Sequence, residues 1–215
     1  MEFTKQDLID LKYNQILTQN SKMRKTSKEN GIRLYNFGIT AYKSHSTGKI
    51  TCPFADSCVK LCYANKGSYI WTNTKKAYEK RYLLSKDTEL FKSKMIEAIT
   101  RRKATHIRIH DSGDFYNFEY IKNWFEIMLK FPNIKFYAYT KSKKLFDLVS
   151  GKPSNFILIY SLGSKFDNLV DVNKDRHSKI FYSMDEMQKQ GYIDASSDDL
   201  IAISTNNNKI GLLIH

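Results

Sequence analysis

Short β-rich runs recur along this chain with room for a helix between many of them, and that alternation restricts the fold more than any other property of the sequence. Apolar or alternating runs occupy 33–40 (RLYNFGIT), 106–110 (HIRIH), 134–140 (IKFYAYT), 156–161 (FILIYS), 179–183 (KIFYS), 200–204 (LIAIS) and 210–214 (IGLLI), each the length of one strand. Helical patterns lie between several of them: Thr74 to Ser85, Glu89 to Arg102 behind the cap residue Thr88, Phe118 to Lys130, and Leu145 to Val149. Repeated strand–helix units imply parallel strands with right-handed crossovers, and ligands that gather at the strands' carboxyl ends. The helices are too few for a complete barrel. The expected fold is therefore α/β, an incomplete (β/α) barrel of about five or six parallel strands, closed by a C-terminal hairpin around Thr205 to Asn208. The chain reads as one domain, with a helical extension over 1–30 and a core over 33–215.

All three cysteines, Cys52, Cys58 and Cys62, fall in one short run, CPFADSCVKLC. An odd count argues against a disulfide framework, and gaps of five and three residues bring three thiols to one loop. Such a loop suits a metal. Zinc would require a fourth ligand, whereas a [4Fe–4S] cluster can be held by three thiolates with one iron left open. Pro53 stiffens the loop and Gly67 closes it, so backbone N–H groups are available to sulfur.

At 215 residues and 41% hydrophobic the chain can bury a core, and no apolar run approaches the roughly 20 residues of a membrane span. The mixed-charge start, MEFTKQDLIDLKYNQ, reads as an ordinary helix rather than a signal peptide, so the reducing cytoplasm is the expected compartment. The formal charge of +13 is uneven: residues 1–150 hold 28 Lys and Arg against 14 Asp and Glu, and the remainder 7 against 8. Segments such as SKMRKTSKEN, KKAYEKR, RRK and KSKK, interleaved with aromatics, could neutralise the phosphates of a nucleic acid. A lysine-rich solvated surface explains the same charge without a partner.

The cysteine loop follows the first strand, and the second strand runs directly into Asp111-Ser112-Gly113-Asp114, so both should meet on one rim. There His110 could ligate the fourth iron or shuttle a proton, with Asp111 orienting it. Strand alternation places His106, Arg108 and His110 on one face, where the Arg108 guanidinium needs Asp111, Asp114 or an anionic substrate. Thr140 and Lys141 end the third strand and add a hydroxyl and a cation, and Tyr63, Tyr116 and Tyr139 are candidates to line the pocket. Asp114 has a plainer reading as a helix cap, a role Asn117 can also fill. His45, His177 and His215 have no supporting neighbours and read as surface residues.

A cysteine loop after the first strand and a Gly–acidic turn after the second resemble the radical S-adenosylmethionine (SAM) enzymes. That resemblance implies a [4Fe–4S] cluster on Cys52, Cys58 and Cys62, and SAM's ammonium held by Ser112, Gly113 and Asp114. It also implies a radical reaction on an anionic substrate positioned by Arg108, His110 and Lys141. The cysteine gaps are longer than in those enzymes, an aromatic follows rather than precedes Cys62, and Asp114 stands where they carry glutamate. The strings TCPFADSCVKLCYA, RIHDSGDF and FYAYTKS more closely resemble a phage- and plasmid-borne family known as gene product 88, over residues 33–215. The other expectation is a non-catalytic or nucleic-acid-associated iron–sulfur or zinc protein of a mobile genetic element.

Overall fold

A computed structural model describes residues 1–214, the side chain of Leu61 excepted. In chain order the elements are α1 (Lys5–Ile9), α2 (Tyr13–Ile16), α3 (Ser21–Glu29), β1 (Leu34–Phe37), α4 (Cys58–Leu61), α5 (Thr72–Leu84) and α6 (Thr88–Arg102). They continue with β2 (His106–Ile109), α7 (Phe118–Lys130), β3 (Lys135–Thr140), α8 (Lys143–Phe146) and β4 (Phe156–Ser161). The last are β5 (His177–Phe181), α9 (Met184–Lys189), β6 (Ile193–Asp194), α10 (Asp199–Ser204) and β7 (Lys209–Leu213).

The seven strands of the described residues all pair in parallel, in the order β1-β2-β3-β4-β5-β7-β6. This corrects the expected five or six strands and removes the hairpin. Residues 200–204 form a helix, with Asp198 accepting a hydrogen bond from Leu200 N as its N-cap. The run LIAIS is apolar enough for a buried strand, but a helical turn capped by Asp198 sets its two sides against different neighbours. β7 then pairs with β5 and β6, both in parallel.

Period-two alternation puts each strand's side chains into two cores. Phe37, Ile107, Ile109, Phe136, Ala138 and Phe156 pack against α6 and α7 in the larger one, around the fully buried Trp124. Leu34, Tyr137, Ile157 and Ile159 face the opposite way, toward Met23 of α3 and Ala202 of α10. Leu11, Ile16 and Leu17 join the larger core, so the N-terminal helices pack against the rest of the chain. The β4–β5 seam is thin, with only Tyr160–His177 and Ser161–Ser178 in register, as few as join β6 to β7. His177, read from sequence as a surface residue, is fully buried there, its Nε2 2.9 Å from the Tyr192 hydroxyl. His45 is exposed, and His215 lies outside the described residues.

Candidate functional site at the carboxyl ends of the strands

The cysteine loop lies across the carboxyl ends of β2 to β4. Asp114 N donates to Thr51 O, Lys165 N donates to Phe54 O, and Ala55 forms a bridge with Ser164. The rim thus brings together the loop, the turn after β2, Lys141 after β3 and Gly163 after β4.

The thiols do not assemble into a metal centre. Among the described residues no group of three or more His, Cys, Asp or Glu side chains is placed to hold a metal ion, which overturns the iron–sulfur and zinc expectations alike. Cys58 opens α4 and Cys62 caps its end, while Cys52 lies six residues earlier in irregular chain. Burial pushes the Cys52 thiol well above its ordinary range, reinforced by the nearby Asp114 carboxyl. Burial also raises Cys58, against the opposing pull of Lys141.

Asp114 joins the strand ends. Its Oδ1 accepts from Phe115 N and from the Thr140 hydroxyl at 2.6 Å, and its Oδ2 accepts from Lys141 N at 2.9 Å. Three donors from the protein leave one lone-pair position for any ligand. Burial nonetheless raises this carboxyl above its usual range. Asn117, not Asp114, caps α7, with Oδ1 2.9 Å from Tyr120 N. Gly113 sits at φ 80°, and a Cβ there would run into Ile39, so the turn requires glycine. Ser112 O accepts from Ile39 N, linking the turn to the end of β1.

His110 leaves the face expected of it. Its φ of 68° breaks the strand's alternation, and the ring packs edge-on to Phe115 with Nε2 2.9 Å from the Tyr120 hydroxyl. Burial and then Arg108 push its pKa down to about 3, so the imidazole is neutral at physiological pH. Arg108 stays on the opposite face, over the Tyr139 ring, and pairs with Asp199 of α10 rather than with Asp111 or Asp114. Asp199 also accepts from Lys22 Nζ and the Tyr137 hydroxyl. Burial works to raise this carboxyl, but Arg108, Lys22 and Tyr137 outweigh it and hold it low. Sequence reading missed Asp199, and only its place as the first residue of a capped helix marked it.

Asp111 Oδ2 accepts from the Tyr78 hydroxyl at 2.7 Å and from the Tyr69 hydroxyl at 3.2 Å, and the Tyr63 hydroxyl donates to Asp111 O. Oδ1 rests against Gly38, where any Cβ would overlap it, and has no donor among the described residues. Arg81 answers the charge from behind: its pKa is drawn down by burial and pulled back up by Tyr78 and Asp111. Lys141 Nζ donates to Ser161 and Leu162 oxygens and makes no ion pair among the described residues.

Next to Asp111 a cavity of about 260 Å³ is lined by Thr40, Ala41, His45, Ala64, Asn65, Tyr69, Ile70, Lys75, Tyr78 and Ser112. Glu79, buried midway along α5, holds the neighbouring loop by accepting from Thr40, Ser44 and Ser46 hydroxyls and His45 N. Of the residues singled out from sequence only Ser112 lines this cavity. Asp111 stands behind it, the cysteine loop, Asp114 and Lys141 lie along the rim, and Arg108 is on the opposite face of the sheet.

No helix among the described residues is long and apolar enough to cross a membrane. No solved structure matches the chain. Over 102 residues it is 28% identical to the Gene 88 protein of Mycobacterium phage L5 and 27% identical to that of Mycobacterium phage D29. These matches cover 42% of this chain and 43% and 42% of those proteins, so the chain spans under half the length of the relatives it matches. The family model for Gene product 88 matches residues 14–215, and the chain therefore belongs to the Gene product 88 family.

Proposed function

We propose that this protein binds a small anionic molecule, carrying a phosphate or carboxylate, in the cavity between the end of β1 and the first turns of α5. The observation that carries this reading is the lining itself. It includes the cation Lys75, with His45, Asn65, Thr40 and Ser112 as further polar groups, and no Asp or Glu. Two carboxylates stand behind the lining: Asp111, behind the hydroxyls of Tyr69 and Tyr78 and near Arg81, and Glu79, taken up by the Thr40 hydroxyl and His45 N. Lys75 makes no ion pair among the described residues, so a bound anion would meet an uncompensated cation in partly dry surroundings. Tyr69 and Tyr78 add flat apolar walls that suit an aromatic or heterocyclic body.

Calorimetry with inorganic phosphate, pyrophosphate and thymidine monophosphate tests the reading. At least one of these should bind, and Lys75→Gln should weaken it by about tenfold or more, the loss of roughly 1.4 kcal/mol. Absence of binding by all three at about 10 mM, the millimolar limit of useful affinity, overturns it.

A further inference from the structure

Most cations that the sequence brings to notice are used within the fold. Lys22 pairs with Asp199, Lys25 with Glu29, Lys80 with Asp7, and Arg101 with Glu97. Arg102 donates to Asn14 O and Leu17 O and lies over the rings of Tyr13 and Tyr35. Lys143 pairs with Asp147 and Asp175. Five of the fourteen cations in SKMRKTSKEN, KKAYEKR, RRK and KSKK are ion-paired among the described residues, and Lys75 and Lys76 are among those that are not.

One run of unpaired cations lies beside the cavity. Between Asp56 and Glu79 the chain has no acidic residue but carries Lys60, Lys66, Lys75 and Lys76, none ion-paired among the described residues. The same stretch exposes its aromatics: Trp71 is 66% accessible and Tyr63 54%. With Ile70, 51% accessible, Trp71 makes a contiguous exposed apolar patch, the kind of feature that marks an interaction surface. Tyr63, Tyr69 and Tyr78 form a row with centroid spacings of 5.6 and 5.5 Å, running inward from this surface to Asp111. The Tyr63, Tyr69 and Tyr78 hydroxyls are all tied to Asp111, so the rings are fixed in place.

We propose that the face formed by residues 60–76 binds single-stranded nucleic acid. The lysines supply phosphate contacts, and Trp71 and Tyr63 supply open π-faces for bases. A duplex fits less well, since its base faces are already stacked on one another. The proposal deepens the cavity reading where the two share Tyr69 and Lys75, but Trp71, Tyr63, Lys60, Lys66 and Lys76 lie outside the cavity lining and are tested without it.

The chain has two tryptophans, and the other, Trp124, is fully buried, so quenching of tryptophan emission reports on Trp71. The test titrates the full chain with oligothymidylate of about 12 nucleotides, within the span such surfaces cover, following both emission and the anisotropy of a labelled strand. Binding should quench emission and fall steeply between about 50 and 200 mM salt. Trp71→Ala and the double change Lys66→Glu with Lys76→Glu should each weaken binding by roughly tenfold or more, a loss of about 1.4 kcal/mol. The control double change, Lys130→Glu with Lys189→Glu on exposed lysines elsewhere, alters net charge equally and should leave affinity within about twofold if the contact is local. Circular dichroism of each variant checks that it is folded.

No binding at low salt overturns the proposal, and so does equal weakening by the control pair. Uptake by anionic phosphatidylserine vesicles in place of the oligonucleotide also overturns it, in favour of a membrane surface. Loss of thymidine monophosphate binding in Lys75→Gln with oligothymidylate binding retained supports both readings as separate sites. Oligothymidylate binding by a chain that takes no mononucleotide sinks the cavity reading alone.

Discussion

Arg108 and Asp199 are 91 residues apart in sequence and 2.9 Å apart in the fold, joined beneath the sheet. Their pairing neutralises the guanidinium that β2 places on that face, next to Asn36 of β1 and Tyr137 of β3, and it attaches α10 to β2. Lys22 brings α3 to the same carboxylate.

Removing that carboxylate strands two cations. Asp199→Ala should destabilise the protein by about 3–5 kcal/mol, the cost of leaving a buried charge unpaired, measured by urea unfolding. The joint change Arg108→Met with Asp199→Leu should recover much of the loss, because it removes both charges together. A single variant as stable as the parent would show that the pair is solvated.

The joint between Asp114 and Thr140 gives a second measurement. Thr140→Val keeps the side-chain shape but removes the 2.6 Å donor, and a hydrogen bond to a charged group contributes about 1.5–3 kcal/mol. The Asp114 carboxyl, already raised by burial, should titrate higher still by carbon NMR, since Thr140 is among the groups that hold it down. An unchanged titration would mean that the hydroxyl does not reach it.

Histidine 110 sets an acid limit. The free side chain titrates near 6.5 and the buried one near 3, so between those values the unfolded chain takes up a proton that the folded chain refuses. Its contribution is complete above pH 6.5 and is lost as pH falls toward 3, at about 1.4 kcal/mol per unit. His110→Asn, which tolerates the left-handed backbone, should flatten the dependence of urea midpoints on pH in that window. A slope equal to the parent's would place the ring in water.

Gly38 has no room for a methyl group. A Cβ would overlap Asp111 Oδ1 and approach Tyr78 Cε1 at 2.7 Å, so Gly38→Ala should cost about 1–3 kcal/mol as an overpacked site. It should also weaken whatever ligand the cavity takes, because Tyr78 lines that cavity. Thermal unfolding with and without thymidine monophosphate separates the two effects.

The thiols should react in order. Burial and Asp114 hold Cys52 well above its ordinary range, while Lys141 draws Cys58 back toward reactivity. Alkylation at neutral pH followed by peptide mapping should label Cys58 before Cys52, since only the thiolate attacks. Faster labelling of Cys52 would contradict the burial described for it.

Local signals made part of this architecture legible. The helix over Phe118–Lys130 carries its apolar stripe and an Asn117 cap in plain view, and β2 to β4 alternate in period two. Residues 200–204 misled because a run of four apolar residues and a serine satisfies either periodicity, and only the Asp198 cap decided between them. The cysteine loop misled differently. Proximity in sequence is not convergence of side chains, and a helical turn between Cys58 and Cys62 holds them on its own geometry. Tyr69, Tyr78 and Arg81 could not be singled out at all, because their meeting with Asp111 depends on how α5 packs over the end of β1.

The β4–β5 seam has a mechanical consequence. With two residues in register, the last quarter of the chain is held to the remainder by little backbone pairing, so that α10 acts as a bolt thrown by Asp199 into Arg108 and Lys22. Anything that withdraws the bolt should let β5 to β7 swing open as one unit while β1 to β4 keep their amide protons from exchange.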